Sequence, residues 1–475
     1  MHKTLRTAVA ATTAAVVTGG LLVVATAAPA AAAPSGLPGD FNGDGFRDVA
    51  IAAPIAEVGG KTGAGAISIV YGTKSGLSTA KRALIHQNTP GVPGVAEAGD
   101  YFGDRLTAGD VDADGYTDLV VGVHADRVGK TDDYGSVTIL WGSAKGLTSG
   151  ADISAHLPEH HNELGWDVAV GDFTGDGKPD LAAINMVVDG LHVFKGPISR
   201  KGVPAGRQDL DILDRKGLNA EYLVAGDVDG RPGRELVAFG PGGGTLLSAG
   251  PKNTVRKTGT LPGGYEAAIG DIDKDGFGDV ITGNFMEKSA DEPFGAPGGG
   301  IIVTHGAKNG LSTRAKTHIN QNTAGIPGTA KANDRFGWSL SAGDTNGDGY
   351  ADVAVGAPGE MTGSKRRTGA VTVLRGSAKG LTGTGAKVLT QSTPGVPGTD
   401  ETEDHFGAAV KLVDSDNDRR AELVVGAYAE DKGAGAVWRF KSTSSGVTAA
   451  GASSFNARTV GGVAGLSYFG FSLVN

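Results

Sequence analysis

A nine-residue pattern, D-x-[DN]-x-D-G-x-x-D, recurs along this chain, and each copy runs straight into a short apolar segment. The version at 344–352 is the clearest: Asp344, Asn346, Asp348 and Asp352 stand at loop positions 1, 3, 5 and 9, with Gly349 at position 6. Oxygen donors at this spacing suit calcium, a hard cation that takes six to eight oxygens, and a glycine at position 6 permits the sharp turn around it. An EF-hand loop continues to a glutamate at position 12 and a helix. Here the loop ends at Asp352 and enters Val353-Ala-Val, which suits a buried strand. The expectation is an EF-hand-like loop in a β hairpin.

Seven such loops start at Asp40, Asp110, Asp172, Asp227, Asp271, Asp344 and Asp414. The expected metal ligands are Asp40, Asn42, Asp44 and Asp48; Asp110, Asp112, Asp114 and Asp118; Asp172, Thr174, Asp176 and Asp180; Asp271, Asp273, Asp275 and Asp279; Asp344, Asn346, Asp348 and Asp352; and Asp414, Asp416, Asp418 and Glu422. The loops are unequal. Thr174 is a neutral donor, and the last loop has Arg419 at position 6 and the longer Glu422 at position 9. The loop at 227–235 has Arg231 and Pro232 at positions 5 and 6. It reads as a metal-free turn, with the guanidinium in the place of an ion. About four to six calcium ions per chain are therefore expected.

Each loop leads into an apolar run, for example Val49-Ala-Ile, Leu119-Val-Val and Leu423-Val-Val. Phe-Gly precedes the loop at Phe102-Gly103, Phe336-Gly337 and Phe406-Gly407, and a glycine-led strand follows, as at Gly369-Ala-Val-Thr-Val-Leu. A Gly-Leu turn and a last short strand complete four strands per long repeat. That is the signature of an all-β, seven-bladed β-propeller of four-stranded blades. Repeat 1 opens at its loop, and the chain ends Tyr468-Phe-Gly-Phe-Ser-Leu-Val-Asn475, resembling Phe336-Gly-Trp-Ser-Leu-Ser. The C-terminal strand is thus expected to join the N-terminal blade and close the ring.

Residues 1–33 read as a secretory signal peptide. His2, Lys3 and Arg6 precede an Ala/Val/Leu-rich stretch and small residues up to Ala33. Residues 34–475 form the propeller, and no later segment has the length of apolar residues that a membrane span needs. A secreted, extracellular protein is expected. With a net charge of −9 the chain is a poor candidate for nucleic-acid binding. It has no cysteine, so bound ions take the place of disulfide staples.

Phe336-Gly337 and Gly356-Ala357-Pro358, flanking the Asp344 loop, resemble an FG-GAP repeat. The chain from residue 34 resembles the seven-bladed N-terminal propeller of integrin α subunits and its bacterial secreted relatives. Repeats 3 to 5 depart from it, with Leu164-Gly165 and Gly264-Tyr265 where Phe-Gly is expected. The resemblance implies calcium between the first two strands of a blade and ligand binding on the opposite face. It implies a calcium-binding adhesion or scaffold module for a protein or a cell-surface or cell-wall glycan.

An extracellular polysaccharide-active hydrolase or lyase is the alternative, because propellers also carry enzymes. No catalytic constellation is signalled: there is no G-x-S-x-G and no H-E-x-x-H. His156, His160 and His161 read as a polar loop between blades, His86 and His318 as blade-edge residues, and Lys365-Arg366-Arg367 as a solvated tip. Of Trp141, Trp166, Trp338 and Trp438, three are expected in blade packing. A purely structural, self-associating surface component is a third option.

Overall fold

The structure is a computed structural model that describes residues 34–127, 134–154, 163–186, 190–211, 220–462 and 465–475. Residues 1–33 and His156, His160 and His161 lie outside the described residues. Seven four-stranded antiparallel sheets follow one another along the chain, with almost no helix. Blade 2 shows the plan: Arg105–Gly109, Asp118–Arg127, Tyr134–Trp141 and Ser149–Asp152 pair in that order. Blades 3 to 7 begin with the inner strands Leu164–Gly171, Tyr222–Gly226, Glu266–Gly270, Ser339–Gly343 and Ala409–Val413. All seven blades have four strands, the shorter repeats included.

Blade 1 is completed from the other end of the chain. Leu473–Val474 pairs antiparallel with Val49–Ala53, Leu473 opposite Ile51 and Val474 opposite Ala50. Gly470 N donates to Ala52 O at 3.0 Å, and Ala52 N to Ser472 O at 3.0 Å. The ring closes as the end-to-end repeat pattern requires.

The second strand of each blade lies between two neighbours and has sheet on both faces. It is therefore buried throughout and largely apolar rather than alternating: Val49–Ala53, Asp180–Asn185, Asp279–Asn284 and Asp352–Ala357 are buried at every residue. The outer strand Ser78–Ile85 has one sheet face and one wet face, and its pattern is mixed. Among the described residues the apolar side chains form eight clusters, seven at the joints between blades and a small one of Val58, Ala64 and Ala96. Val49, Ile51, Val424 and Val437 make the joint between blades 7 and 1, and Leu119, Val121, Ala50 and Ile67 that between 1 and 2.

Glycine sets how closely the blades approach. A Cβ on Gly356 would lie 2.0 Å from Gly407 O of the next blade, and one on Gly426 would lie 2.0 Å from Gly470 O. No side chain fits there, which is the steric reason for the repeated glycines of these strands. The phenylalanines beside them, Phe102, Phe336, Phe406 and Phe469, are fully buried in the joints.

Leu473 is 7% exposed and packs in the joint of blades 7 and 1. Leu473→Ala is expected to lower stability by about 2–5 kcal/mol, the usual cost of a leucine cavity. An unchanged denaturant midpoint would show that this strand does not close the ring.

Candidate functional site

Six acidic loops join the first strand of a blade to the second, and the loop at 40–48 leads into the second strand of blade 1, so they lie together on one face of the ring. Each is wound by its own carboxylates. In the loop at 110–118, Asp114 N and Gly115 N donate to Asp110 at 3.0 and 2.9 Å, and Tyr116 N donates to Asp114 at 3.0 Å. The same bonds recur around Asp40 and Asp44, Asp172 and Asp176, Asp271 and Asp275, and Asp414 and Asp418. Around Asp344 and Asp348 the amides of Gly347, Gly349 and Tyr350 play these parts, and Asn346 Nδ2 donates to Asp348 at 2.8 Å. Asn42 Nδ2 likewise donates to Asp44 at 3.3 Å.

Position 6 is left-handed in these loops, with φ of 90° at Gly115 and 86° at Gly349. Arg419 adopts the same region at φ 71°, a conformation in which a side chain is strained.

The residue at position 9 is fully buried in Asp48, Asp118, Asp180, Asp279 and Asp352. Both carboxylate oxygens of Asp118 accept backbone amides, Val111 N at 2.9 Å and Gly142 N at 2.8 Å. Asp48, Asp180, Asp279 and Asp352 repeat the arrangement, Thr174 N being the loop donor to Asp180. Burial pushes the carboxyls of Asp48 and Asp118 up to about 8, that of Glu422 to about 7 and that of Asp279 to about 6. Such groups ionise readily only beside compensating positive charge.

The donors fit a hard cation. Oxygens of Asp110, Asp112 and Asp118 converge within 4.8 Å, as do those of Asp271, Asp273 and Asp275 and those of Asp414, Asp416 and Glu422. Oδ1 of Asp112 and Oδ1 of Asp273 are buried without a hydrogen-bond partner, and both residues stand at position 3. A calcium ion held here would neutralise the loop and supply the missing partner.

Several loops also carry protein cations that the spacing of acids did not reveal. Arg200 reaches Asp112 at 2.7 Å and also Asp114. Arg314 reaches Asp273 at 2.8 Å, and His305 Nδ1 lies 2.9 Å from Asp279. Arg420 pairs with Asp418. In the loop at 227–235, Arg231 Nε donates to the buried Asp229 at 2.7 Å.

The opposite end of the inner strands opens on a different surface. A cavity of about 1050 Å³ runs along the ring axis between these strands. Its mouth away from the loops is ringed by aromatic side chains. Tyr222 and Tyr265 have centroids 6.2 Å apart, Tyr265 and Phe285 4.6 Å, and Phe285 and Trp338 4.5 Å. Tyr428 and Phe471 continue the rim at 5.7 Å, and Trp166 packs edge-on to His124 at 5.0 Å. Trp141 and Trp438 are packing residues, at 2% and 1% exposure. Half-buried Trp166 packs against the cluster between blades 3 and 4, so three of the four tryptophans sit in blade packing as the sequence suggested, and half-buried Trp338 lines this mouth. Nor is Lys365-Arg366-Arg367 wholly a solvated tip: Lys365 Nζ donates to Asp400 O at 2.6 Å, and Arg367 pairs with Glu403 at 2.9 Å.

Just inside the aromatic rim stand Arg105, Asp167, Glu266 and Lys411 on four different inner strands. Asp167 accepts Leu223 N at 2.7 Å, and Arg105 Nε donates to Trp166 O at 3.1 Å. Burial raises Glu266 to about 7 and Asp167 to about 6. It lowers Lys411 to about 8, against the pull of Glu266. Arg105, Asp167 and Glu266 each stand two residues after the repeat's Phe-Gly glycine or its counterpart, and that offset is the signal that could have found them.

This arrangement defines a seven-bladed propeller with acidic loops on one face and an aromatic, charged channel mouth on the other. The profile of the FG-GAP repeat matches residues 32–70 and 336–374, and that of an FG-GAP-like repeat matches residues 109–183. The chain is an FG-GAP-repeat propeller of the integrin-α-like kind. It is 31% identical over 235 residues to integrin alpha-PS2 of Drosophila melanogaster, covering 46% of this chain and 16% of that protein. It is 25% identical over 273 residues to integrin alpha-8 of Mus musculus (57% and 20%). It is 29% identical over 191 residues to the phosphatidylinositol-glycan-specific phospholipase D of Mus musculus (40% and 22%). The chain thus spans about a fifth of the length of these relatives. A solved Agrocybe aegerita lectin that recognises non-reducing terminal N-acetylglucosamine aligns at 15% identity over 73% of this chain and 81% of its own, with a TM-score of 0.41, too loose a match to carry an argument. Among the described residues no helix is long and apolar enough to cross a membrane.

The channel acids give a pH signature. Folded Glu266, facing Arg105, Asp167 and Lys411, holds its proton to about pH 7. The unfolded chain holds it only to its ordinary value of 4.5. The folded state binds more protons between these values, so this group's contribution to stability falls as pH rises through that window. Glu266→Gln is expected to gain stability relative to wild type when denaturant melts at pH 7.5 are compared with melts at pH 5. A constant gap between the two proteins would show that Glu266 is solvated and titrates normally.

Proposed function

We propose that the protein is a secreted, calcium-binding propeller that acts as a binding module for a protein or cell-surface glycan. Residues 1–33 serve as its export signal. The observation that carries this reading is the channel mouth. Aromatic faces present flat, amphipathic area at low entropic cost, which suits both sugar rings and peptide side chains. The charged group behind them offers donors and acceptors to fix the orientation of what binds. Calcium in the opposite loops holds each hairpin in place, so the inner strands that carry the rim stay in register. The ligand residues are those of the loops starting at Asp40, Asp110, Asp172, Asp271, Asp344 and Asp414.

Calcium removal tests the metal component. Because a site assembled only in the folded chain couples binding to folding, EGTA is expected to lower the melting temperature markedly. An unchanged melt together with no calcium by metal analysis would end the loop assignment.

Binding is tested by retention of the purified protein on cell-wall polysaccharides, a glycan panel and surface proteins, with calcium or with EGTA. Calcium-dependent retention is expected, and Trp338→Ala combined with Phe471→Ala is expected to weaken it at least tenfold. Retention that is indifferent to both changes would move the binding surface away from the channel mouth.

Asp167 and Glu266 also favour a second reading, a polysaccharide-active hydrolase or lyase. Two buried carboxyls inside one cavity, both pushed upward by burial, are the raw material of acid–base glycoside chemistry. Release of oligosaccharides from the panel, lost in Glu266→Gln, would replace the binding module with this enzyme.

A further inference from the structure

A second set of acidic positions recurs in frame, on the face opposite the loops. Gln87, Gln321 and Gln391 follow the outer strand of one blade. Thirteen residues on come Asp100, Asp334 and Asp404, each two residues before a Phe-Gly of the next blade. Twenty-six residues further come Asp126, Glu360 and Glu430, at or just past the end of that blade's second strand. The fold brings each trio together at a joint: blades 1 and 2, 5 and 6, and 6 and 7.

The contacts repeat as the spacing does. Gln321 Nε2 donates to Glu360 at 2.5 Å, Gln391 Nε2 donates to Glu430 at 2.8 Å, and Gln87 donates to Asp126. One oxygen of each aspartate accepts a turn amide, from Glu97 N at 2.6 Å, Lys331 N at 2.7 Å and Glu401 N. The two acids of a trio feel each other: Asp334 and Glu360 lie within hydrogen-bond reach, and like-charge repulsion acts between Asp100 and Asp126 and between Asp404 and Glu430.

Each glutamine also leaves a group unanswered. Oε1 of Gln87, of Gln321 and of Gln391 is buried and has no hydrogen-bond partner, and the side chains are only 4%, 6% and 2% exposed. A buried amide oxygen without a partner is costly, and the same omission at three equivalent places marks a shared missing ligand. That oxygen belongs to the same amide whose nitrogen touches the acid, so it borders the carboxyl pair. Two carboxylates and an amide oxygen form a hard, anionic oxygen set, the chemistry of calcium rather than of a transition metal.

We propose that the three joints each bind one divalent hard cation, calcium in a calcium-bearing medium, between Gln87, Asp100 and Asp126, between Gln321, Asp334 and Glu360, and between Gln391, Asp404 and Glu430. Each ion bridges two blades, since the glutamine comes from one and both acids from the next. These sites are separate from the acidic loops and stiffen the face that carries the aromatic rim. The joint of blades 7 and 1 is an internal control. Its matching positions are Ala457, Ser467 and Ala56, and Ser467 Oγ is already satisfied by Ala434 O at 2.8 Å.

The test is calcium content per chain after equilibrium dialysis, with the loops left intact. The variant Asp126→Asn/Glu360→Gln/Glu430→Gln is expected to bind three ions fewer than wild type, and Glu360→Gln alone one fewer. Calcium should also raise the melting temperature of the triple variant less than that of wild type. Should the triple variant fail to fold, wild-type crystals soaked in terbium chloride decide the matter. Anomalous peaks are expected at the three joints and not at Ser467. An unchanged ion count in folded variants, or joints without peaks, would overturn the proposal and leave a shared proton holding each acid pair.

Discussion

The carboxylate at the ninth loop position carries the geometry of five of the seven blades. In Asp48, Asp118, Asp180, Asp279 and Asp352 it is fully buried and gives both oxygens to backbone amides, one in its own loop and one just past the third strand. It thereby ties the first hairpin of a blade to the second. An apolar residue here would leave two buried amides unpaired, each costing about 1–3 kcal/mol. A lone anion at this depth is unfavourable as well, which is why burial drives these carboxyls so far upward. The neighbouring acids at positions 1, 3 and 5 make sense as the frame that brings positive charge to this point.

That charge comes from more than one source. Arg200, Arg314 with His305, and Arg420 extend guanidinium or imidazole groups to the loops of blades 2, 5 and 7, and Arg231 does so within the loop of blade 4. A guanidinium and a dication compete for the same oxygens. The blade-4 loop has its cation built into position 5. In blades 2 and 5 the arginine comes from elsewhere in the fold, and in blade 7 Arg420 lies two residues from Asp418 within the loop itself. The loops therefore form a graded series of anionic oxygen sets rather than seven equal ones.

Much of the architecture was legible because it is repetitive. Seven loops in frame, apolar second strands and a C-terminal Phe-Gly fixed the blade count, the strand order and the closure. Sterics explain this legibility: Gly356 and Gly426 admit no Cβ, and Phe336 and Phe406 are fully buried in the joints, so the copies that pack this way keep them, while repeats 3 to 5 depart. The channel was not legible in the same way. Arg105, Asp167, Glu266 and Lys411 come from four repeats: the first three stand where other repeats have Ser339, Ala409 and Ser472, and Lys411 stands where blade 6 has Ser341. A repeat pattern reveals what all copies share, whereas this site consists of what they do not. The arginines on the loops were hidden for a related reason: Arg200 lies 86 residues from Asp114, and only the ring brings them together.

The two faces of the propeller thus answer different demands with the same chain. The loop face is built from identical parts, because every hairpin faces the same problem of turning buried, acidic backbone near the axis. The channel face is built from differences, because a ligand needs an asymmetric pattern of charge and ring. The two remain coupled through the inner strands, which begin at the aromatic rim and end at the first loop aspartate within five to eight residues. A strand that short in a sheet this tightly packed moves as a rigid element. On the proposed reading, a cation that ordered a loop would also fix the height of the rim residue at the strand's other end, and the metal chemistry of one face would set the precision of recognition on the other.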